Sequence, residues 1–118
     1  MRTIFLLSLY LACYANASAS DQSWAQEYYA VAMSAKAQKY SRKGGFVPDE
    51  QTAIAIAVAV WKPIFGKENI EDQKPWRAYL VNDAWIVFGS LPKGYKGGVA
   101  QAAISKQTGE ILHVTHGK

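Results

Sequence analysis

The 118-residue chain holds a single cysteine, Cys13, which excludes an intrachain disulfide. Histidine is nearly as scarce, with only His113 and His116. A transition-metal site needs three or four nitrogen, sulfur or carboxylate donors at set spacing, and no such grouping is present, so no metal or other cofactor is expected. Long apolar runs are missing too. The stretch Ile4–Ala12 is far shorter than the roughly 20 residues a membrane-spanning helix requires. Charge of one sign is not in large excess. Thirteen Lys and Arg against nine Asp and Glu give +4, too little to argue for nucleic acid and enough to steer the chain toward an acidic partner. Neither an internal repeat nor a low-complexity tract occurs. Half the residues are apolar and 19% are charged, the balance of one ordinary globular domain.

What is there begins with a leader pattern. Met1-Arg2 supplies a short positive region, Ile4–Ala12 an apolar core, and Ala15-Asn16-Ala17 and Ala17-Ser18-Ala19 two small-x-small sites. A signal peptide over residues 1–19, cleaved after Ala17 or Ala19, is the expected reading. Its removal discards Cys13 and leaves twelve Lys and Arg against nine acids, about +3. A lipid anchor on Cys13 is the competing reading, and Tyr10, where leucine is usual, argues against it. With no second apolar segment, the expected product is a soluble periplasmic protein of a bacterium, a single α+β domain over residues 20–118.

Asp21–Tyr40 is rich in Ala, Gln, Glu and Lys and free of Pro and Gly, which predicts a helix capped by Asp21. Trp24, Tyr28, Val31 and Ala35 form its apolar stripe. Lys36, Lys39, Arg42 and Lys43 suit the negative end of its dipole, or alternatively form a basic patch, and Gly44-Gly45 ends it. Pro48-Asp49-Glu50 opens a second helix. Its body TAIAIAVAVW alternates like a strand, but the alanines and the capping residues favour helix, with Ile54, Val58, Trp61 and Phe65 as the buried stripe. Pro63 is expected to bend or end it near Lys62, with Lys67–Lys74 a polar surface connection.

From Pro75 onward the pattern is β. Trp76–Val81 and Ala84–Ser90 flank Asn82-Asp83, and Val99–Lys106 and Glu110–Thr115 flank Gln107-Thr108-Gly109. These are two hairpins. Trp85 and Val87 share one face of their strand while Ile86 and Phe88 share the other, so that strand is covered on both sides or meets a partner on one. Ala100, Ala102 and Ile104 mark the covered face of the third strand. The expected fold is α+β, two helices packed on one face of a curved antiparallel sheet of about four strands, cystatin-like or nuclear-transport-factor-2-like.

Phe46-Val47-Pro48-Asp49-Glu50, Pro63-Ile64-Phe65-Gly66, Gln73-Lys74-Pro75-Trp76, Asn82–Gly89, Gly97-Gly98-Val99 and Lys106–Ile111 form a set in fixed order. Over about residues 45–118 this set resembles the nuclear-transport-factor-2-fold immunity proteins of bacterial polymorphic toxin systems. The resemblance implies a protein that binds a cognate secreted toxin and neutralises it, here in the periplasm. It carries over no catalytic residues. The alternative is a cystatin-like periplasmic inhibitor or binding module acting on a protease or cell-wall enzyme.

Catalysis is disfavoured by where the titratable groups fall. Eight acids lie at predicted helix starts, connections or turns, Glu27 lies in the first helix, and none lies inside a strand where a cavity would hold it. His113 and His116 point to opposite faces. Ser and Thr have no evident base. The better candidates are groups that enter a partner's cleft. Tyr95 offers large contact area at low rotamer cost, and Lys93 and Lys96 flank it on the glycine-rich loop Leu91–Gly98. Trp76 and Arg77 form a second candidate patch, although Trp76 also suits the core. The sequence specifies no oligomeric state.

Overall fold

The computed structural model describes residues 19–35 and 40–118. Residues 1–18, which hold Cys13 and most of the expected signal peptide, and residues 36–39, which hold Lys36 and Lys39, lie outside the described residues. The chain divides into two compact units, Met1–Tyr40 and Ser41–Lys118.

In the first unit residues 19–32 are helical and 33–35 form a turn. Asp21 therefore sits inside the helix and does not cap it. The helix stops short of Tyr40 for a local reason. The Ser34 hydroxyl donates to the Val31 carbonyl at 2.7 Å, an alternative to continuing the helical ladder. Trp24 and Tyr28, one turn apart, stack with ring centroids 5.6 Å apart, and both are exposed.

The second unit follows the order helix α1 (Glu50–Phe65), helix α2 (Lys67–Glu71), then strands β1 (Arg77–Val81), β2 (Ala84–Phe88), β3 (Ala100–Ser105) and β4 (Ile111–His116). The strands form an antiparallel meander in chain order, the expected α+β layout. Asn82 and Asp83 both take positive φ, 47° and 66°, the geometry that lets a two-residue turn follow the twist of its strands. Asn and Asp tolerate it better than other side chains. Gly109 closes the second hairpin at φ 78°.

Asp49 caps α1, its carboxylate accepting from the Thr52 backbone N–H and hydroxyl, both at 2.8 Å. Those two bonds hold its pKa below the ordinary carboxylate value. Two expectations for α1 need correction. Pro63 does not end it, because the helix runs to Phe65 and Gly66 N–H closes the last turn on the Lys62 carbonyl at 2.9 Å. A proline this near the C-terminus forfeits a single ladder bond. The buried stripe is also different: Ala53, Ala57, Val58 and Trp61 face the sheet, and Ile54 and Ile56 flank it half-buried. Alanine at 53 and 57 brings the helix axis close to β1, β2 and β3. Trp61 then fills the remaining space, fully buried, its indole donating to the Gln101 carbonyl at 3.2 Å. A third correction concerns the connection after α1. It contains α2, whose Ile70 is fully buried.

The core lies between α1 and the inner face of the sheet, where Val87, Ala100 and Ile104 are fully enclosed. Each large aliphatic side chain so buried contributes roughly 1.5–3 kcal/mol. Val47 joins them from the segment before α1. That segment is latched to the β3–β4 turn: Phe46 N–H donates to Gln107 O at 3.1 Å and Val47 N–H to Lys106 O at 3.0 Å. The Trp85 indole donates to Val47 O at 2.7 Å. A side chain at Gly45 would overlap the Lys106 carbonyl, so the latch requires glycine there.

Gln73 is the one polar residue that is buried among the described residues. Its side-chain oxygen accepts from Ala100 N–H at 2.8 Å, and its side-chain nitrogen lies 3.1 Å from His116 Nε2. Its backbone carbonyl accepts from Ser90 N–H at 2.7 Å. Gln73→Leu keeps the bulk but leaves the buried Ala100 donor without an acceptor. It is expected to cost about 1–3 kcal/mol, read as a lower denaturant midpoint with unchanged slope. An unchanged midpoint would show that another group satisfies Ala100.

Candidate binding surfaces

Two open surfaces are positioned by these elements. The first is a cleft of about 520 Å³ between the end of α2 and the loop Leu91–Gly98, lined among others by Asn69, Asp72, Leu91, Tyr95 and Lys96. The loop turns at Gly94, φ 86°, with Tyr95 N–H donating to Pro92 O at 3.0 Å. Tyr95 is 70% exposed, and Lys93 and Lys96 are exposed beside it. Tyr95 and Lys96 line the cleft; Lys93 does not. At the loop's far end Gly98 crosses Gly117 so closely that a side chain at position 98 would overlap the Gly117 backbone. Gly117 N–H donates to Val99 O at 3.0 Å. Thus both ends of the loop are pinned, one by Gln73 and one by Gly117, while its tip projects.

Trp76 is half-buried against the core, its indole committed to the Ile70 carbonyl at 3.0 Å. The Lys74 ammonium sits 5.0 Å from the centre of its ring. Arg77 is exposed on the opposite, outer face of the sheet, its guanidinium 4.7 Å over the Phe88 ring. The five sequence-derived candidates are therefore not one patch. Tyr95 and Lys96 share the cleft, Trp76 is anchored, and Arg77 belongs to the outer face.

That outer face is the second surface. Tyr79 stacks on Phe88 with centroids 5.8 Å apart. An adjoining groove of about 410 Å³ is lined mainly by Ile86, Phe88, Gln101, Ala103, His113 and Thr115, with Ala102 also at its wall. It lies opposite α1, because these positions alternate with the buried Trp85, Val87, Ala102 and Ile104 along their strands. Sequence reasoning did not select it as a site, although Ile86 and Phe88, apolar on the far side of an already buried strand, were its signal. His113 opens on this groove, whereas His116 packs on the inner side against Phe65, centroids 5.1 Å apart. The two histidines do not converge. Among the described residues no group of three His, Cys, Asp or Glu side chains could hold a metal ion, and no helix is long and apolar enough to cross a membrane.

A model for the family described as NTF2 fold immunity protein matches residues 52–118, which takes in α1 from its first turn and every strand. The chain belongs to this family. It is also 35% identical over 81 residues to the uncharacterized protein YbbC of Escherichia coli K12, covering 68% of this chain and 66% of the relative. It is 29% identical over 87 residues to the uncharacterized protein YhhH of the same organism, covering 69% and 68%. The chain thus spans about two thirds of the length of these curated relatives. No solved structure matches it.

Next in the chain to Asp72, which lines the cleft, Glu71 carries both ion pairs found among the described residues. Glu71 bridges Lys62 at 2.7 Å and Lys74 at 2.6 Å. Those hydrogen bonds lower its pKa from 4.5 to about 2. A carboxylate depressed in the folded state stabilises it fully above the ordinary value. That contribution disappears as pH falls from about 4.5 to about 2. The melting temperature should therefore drop across this interval. Glu71→Gln should melt lower than wild type at pH 6 and lose less on acidification, and salt should narrow the difference, since the group is one-third exposed. Parallel acid profiles for both proteins would refute the assignment.

Proposed function

We propose that the chain is a periplasmic immunity protein that binds one cognate secreted toxin and obstructs it. The reading rests on one observation above all, the match of the immunity family to residues 52–118, the segment that builds the whole sheet and its helical cover. In this reading residues 1–19 direct export and leave the α+β unit to meet the toxin. Obstruction needs a rigid scaffold with a projecting contact element. The loop between β2 and β3 has that form, pinned at Ser90 and at Val99 and carrying Tyr95 at its tip. Tyr95 supplies contact area, and Lys93 and Lys96 pair with acids of the toxin. No catalytic step by this chain is part of the proposal.

The test takes the product of the neighbouring gene as the candidate toxin and delivers it to the periplasm of cells lacking the chain. Such cells should die, and the full-length protein should rescue them. A version lacking residues 1–19 should not, because it stays on the wrong side of the inner membrane. Equal rescue by both forms would overturn the periplasmic assignment, and no rescue by either would overturn immunity itself. Purified Lys93→Glu/Tyr95→Ala protein should bind that toxin at least tenfold more weakly, a loss of about 1.4 kcal/mol or more, with an unchanged melting temperature. Wild-type affinity in this variant would remove the loop from the interface.

A further inference from the structure

A chain of side-chain hydrogen bonds links α1, β3 and β4, and its polarity is fixed at three backbone groups. The Phe65 carbonyl accepts from Asn69 Nδ2 at 3.3 Å, which turns the Asn69 side-chain oxygen toward Gln73 Nε2, 3.4 Å away. The Ala100 N–H donates to Gln73 Oε1 at 2.8 Å, which sets the same orientation of that carboxamide from its other side. Gln73 Nε2 must then donate to His116 Nε2, 3.1 Å away. The Gly117 carbonyl lies 2.7 Å from His116 Nδ1 and takes the ring's single hydrogen. Only the neutral imidazole with its hydrogen on Nδ1 completes the chain.

A proton added at His116 Nε2 sets a donor against the Gln73 donor. Turning the carboxamide over relieves that clash and creates two others. Its nitrogen then faces the Ala100 N–H, and its oxygen faces the Asn69 oxygen. Ala100 is fully buried, so its N–H has no water to turn to. The charged residues on the adjoining segments are Lys62 on α1, Glu71 at the end of α2, Asp72 and Lys74 beside Gln73, and Lys118; β3 carries none. Lys62, Glu71 and Lys74 pair among themselves, and among the described residues no carboxylate is within ion-pair distance of the ring.

The ring does have a route to water. It is half-buried, tilted against Phe65 with centroids 5.1 Å apart, so an imidazolium is hydrated by turning outward. That movement pulls on Gly117, the residue that Gly98 packs against and whose N–H holds Val99. On the other side it releases Gln73, whose backbone carbonyl holds Ser90. Both ends of the loop Leu91–Gly98 therefore hang on one imidazole.

We propose that His116 is a proton-operated pin for the Tyr95 loop. Uptake of one proton from water at Nε2 breaks the contact with Gln73 and loosens the loop at both ends. The arrangement is held while the ring is neutral. It is lost on acidification through the range where imidazoles take up protons, about pH 5–8. If this loop meets the toxin, as proposed above, the pin weakens that contact in acid; the pin itself does not rest on that reading.

The experiment needs only the purified chain and no toxin. The imidazole nitrogen resonances report the tautomer directly, and at about pH 7.5 His116 Nε2 should carry no hydrogen. Between about pH 7.5 and about pH 5, protection of the Ser90, Ala100 and Gly117 amides against hydrogen exchange should fall about tenfold or more, corrected for intrinsic rates. The β1–β2 ladder should keep its protection. Glu71 holds its pairs over this interval, since its contribution fades only from about 4.5 to about 2. His116→Gln keeps an acceptor for Gln73 and cannot take up a proton, so its protection should be the same at both pH values. His113→Gln, altered in the outer groove, should show the wild-type fall. A hydrogen on His116 Nε2 at about pH 7.5, unchanged protection in the wild type, or the full fall in His116→Gln would each overturn the proposal. The first two hold whether or not the variant folds.

Discussion

The arrangement depends on one buried carboxamide. Gln73 stands where α2 hands over to β1, and its side chain reaches the start of β3 and the end of β4 at once. Gly89 at the end of β2 leaves the space it occupies, since any side chain there would overlap it. A carboxamide suits this place because it carries an acceptor and a donor on one rigid group. Its oxygen is used by Ala100 N–H, so its nitrogen must be the donor toward His116. The histidine ring then accepts on Nε2 and donates from Nδ1 to Gly117 O, 2.7 Å away. One uncharged imidazole tautomer satisfies every partner. A charged side chain at position 73 would meet a burial cost of several kcal/mol without a counter-ion.

Around this point the fold balances closeness against openness. The alanines of α1 bring helix and sheet together, and Trp61 and Trp85 close the remaining volume with their indole donors both satisfied. The outer face is left to half-buried Ile86 and Phe88 and to exposed Arg77 and Tyr79. A single layer of helix on a sheet always leaves one sheet face to solvent or to a partner. Here that face carries stacked aromatics and a cation, and the loop carries an aromatic between two lysines. For a member of an immunity family, interaction surfaces of this kind are the expected product of the chain.

Much of the fold is legible in the residues. Period-two alternation gives the four strands within about a residue at most ends, and Asn82-Asp83 and Gly109 mark both turns. The family set of motifs covers nearly the region that the family model matches. The misses have physical causes. Periodicity in α1 selects the bulky stripe of Ile54, Val58, Trp61 and Phe65, but distance to a twisted sheet selects Ala53 and Ala57 instead. Lys67–Lys74 reads as polar because a five-residue helix with one buried side chain has no measurable period. Gln73 was visible as part of a motif, yet nothing local says that its partners lie 27 and 43 residues away. Trp76 and Arg77 are adjacent in the chain, so they look like one patch. Adjacent residues of an extended segment face opposite sides, and the structure parts them.

The latch between residues 45–47 and the β3–β4 turn carries an entropic consequence. The meander pairs each strand with its neighbour in the chain, so its contacts close short loops and form early. The latch spans about sixty residues, so closing it costs more chain entropy than closing either hairpin. The segment before α1 is thus the clasp of a structure whose strand pairings are otherwise local, holding the chain ahead of the first helix to the turn of the last hairpin.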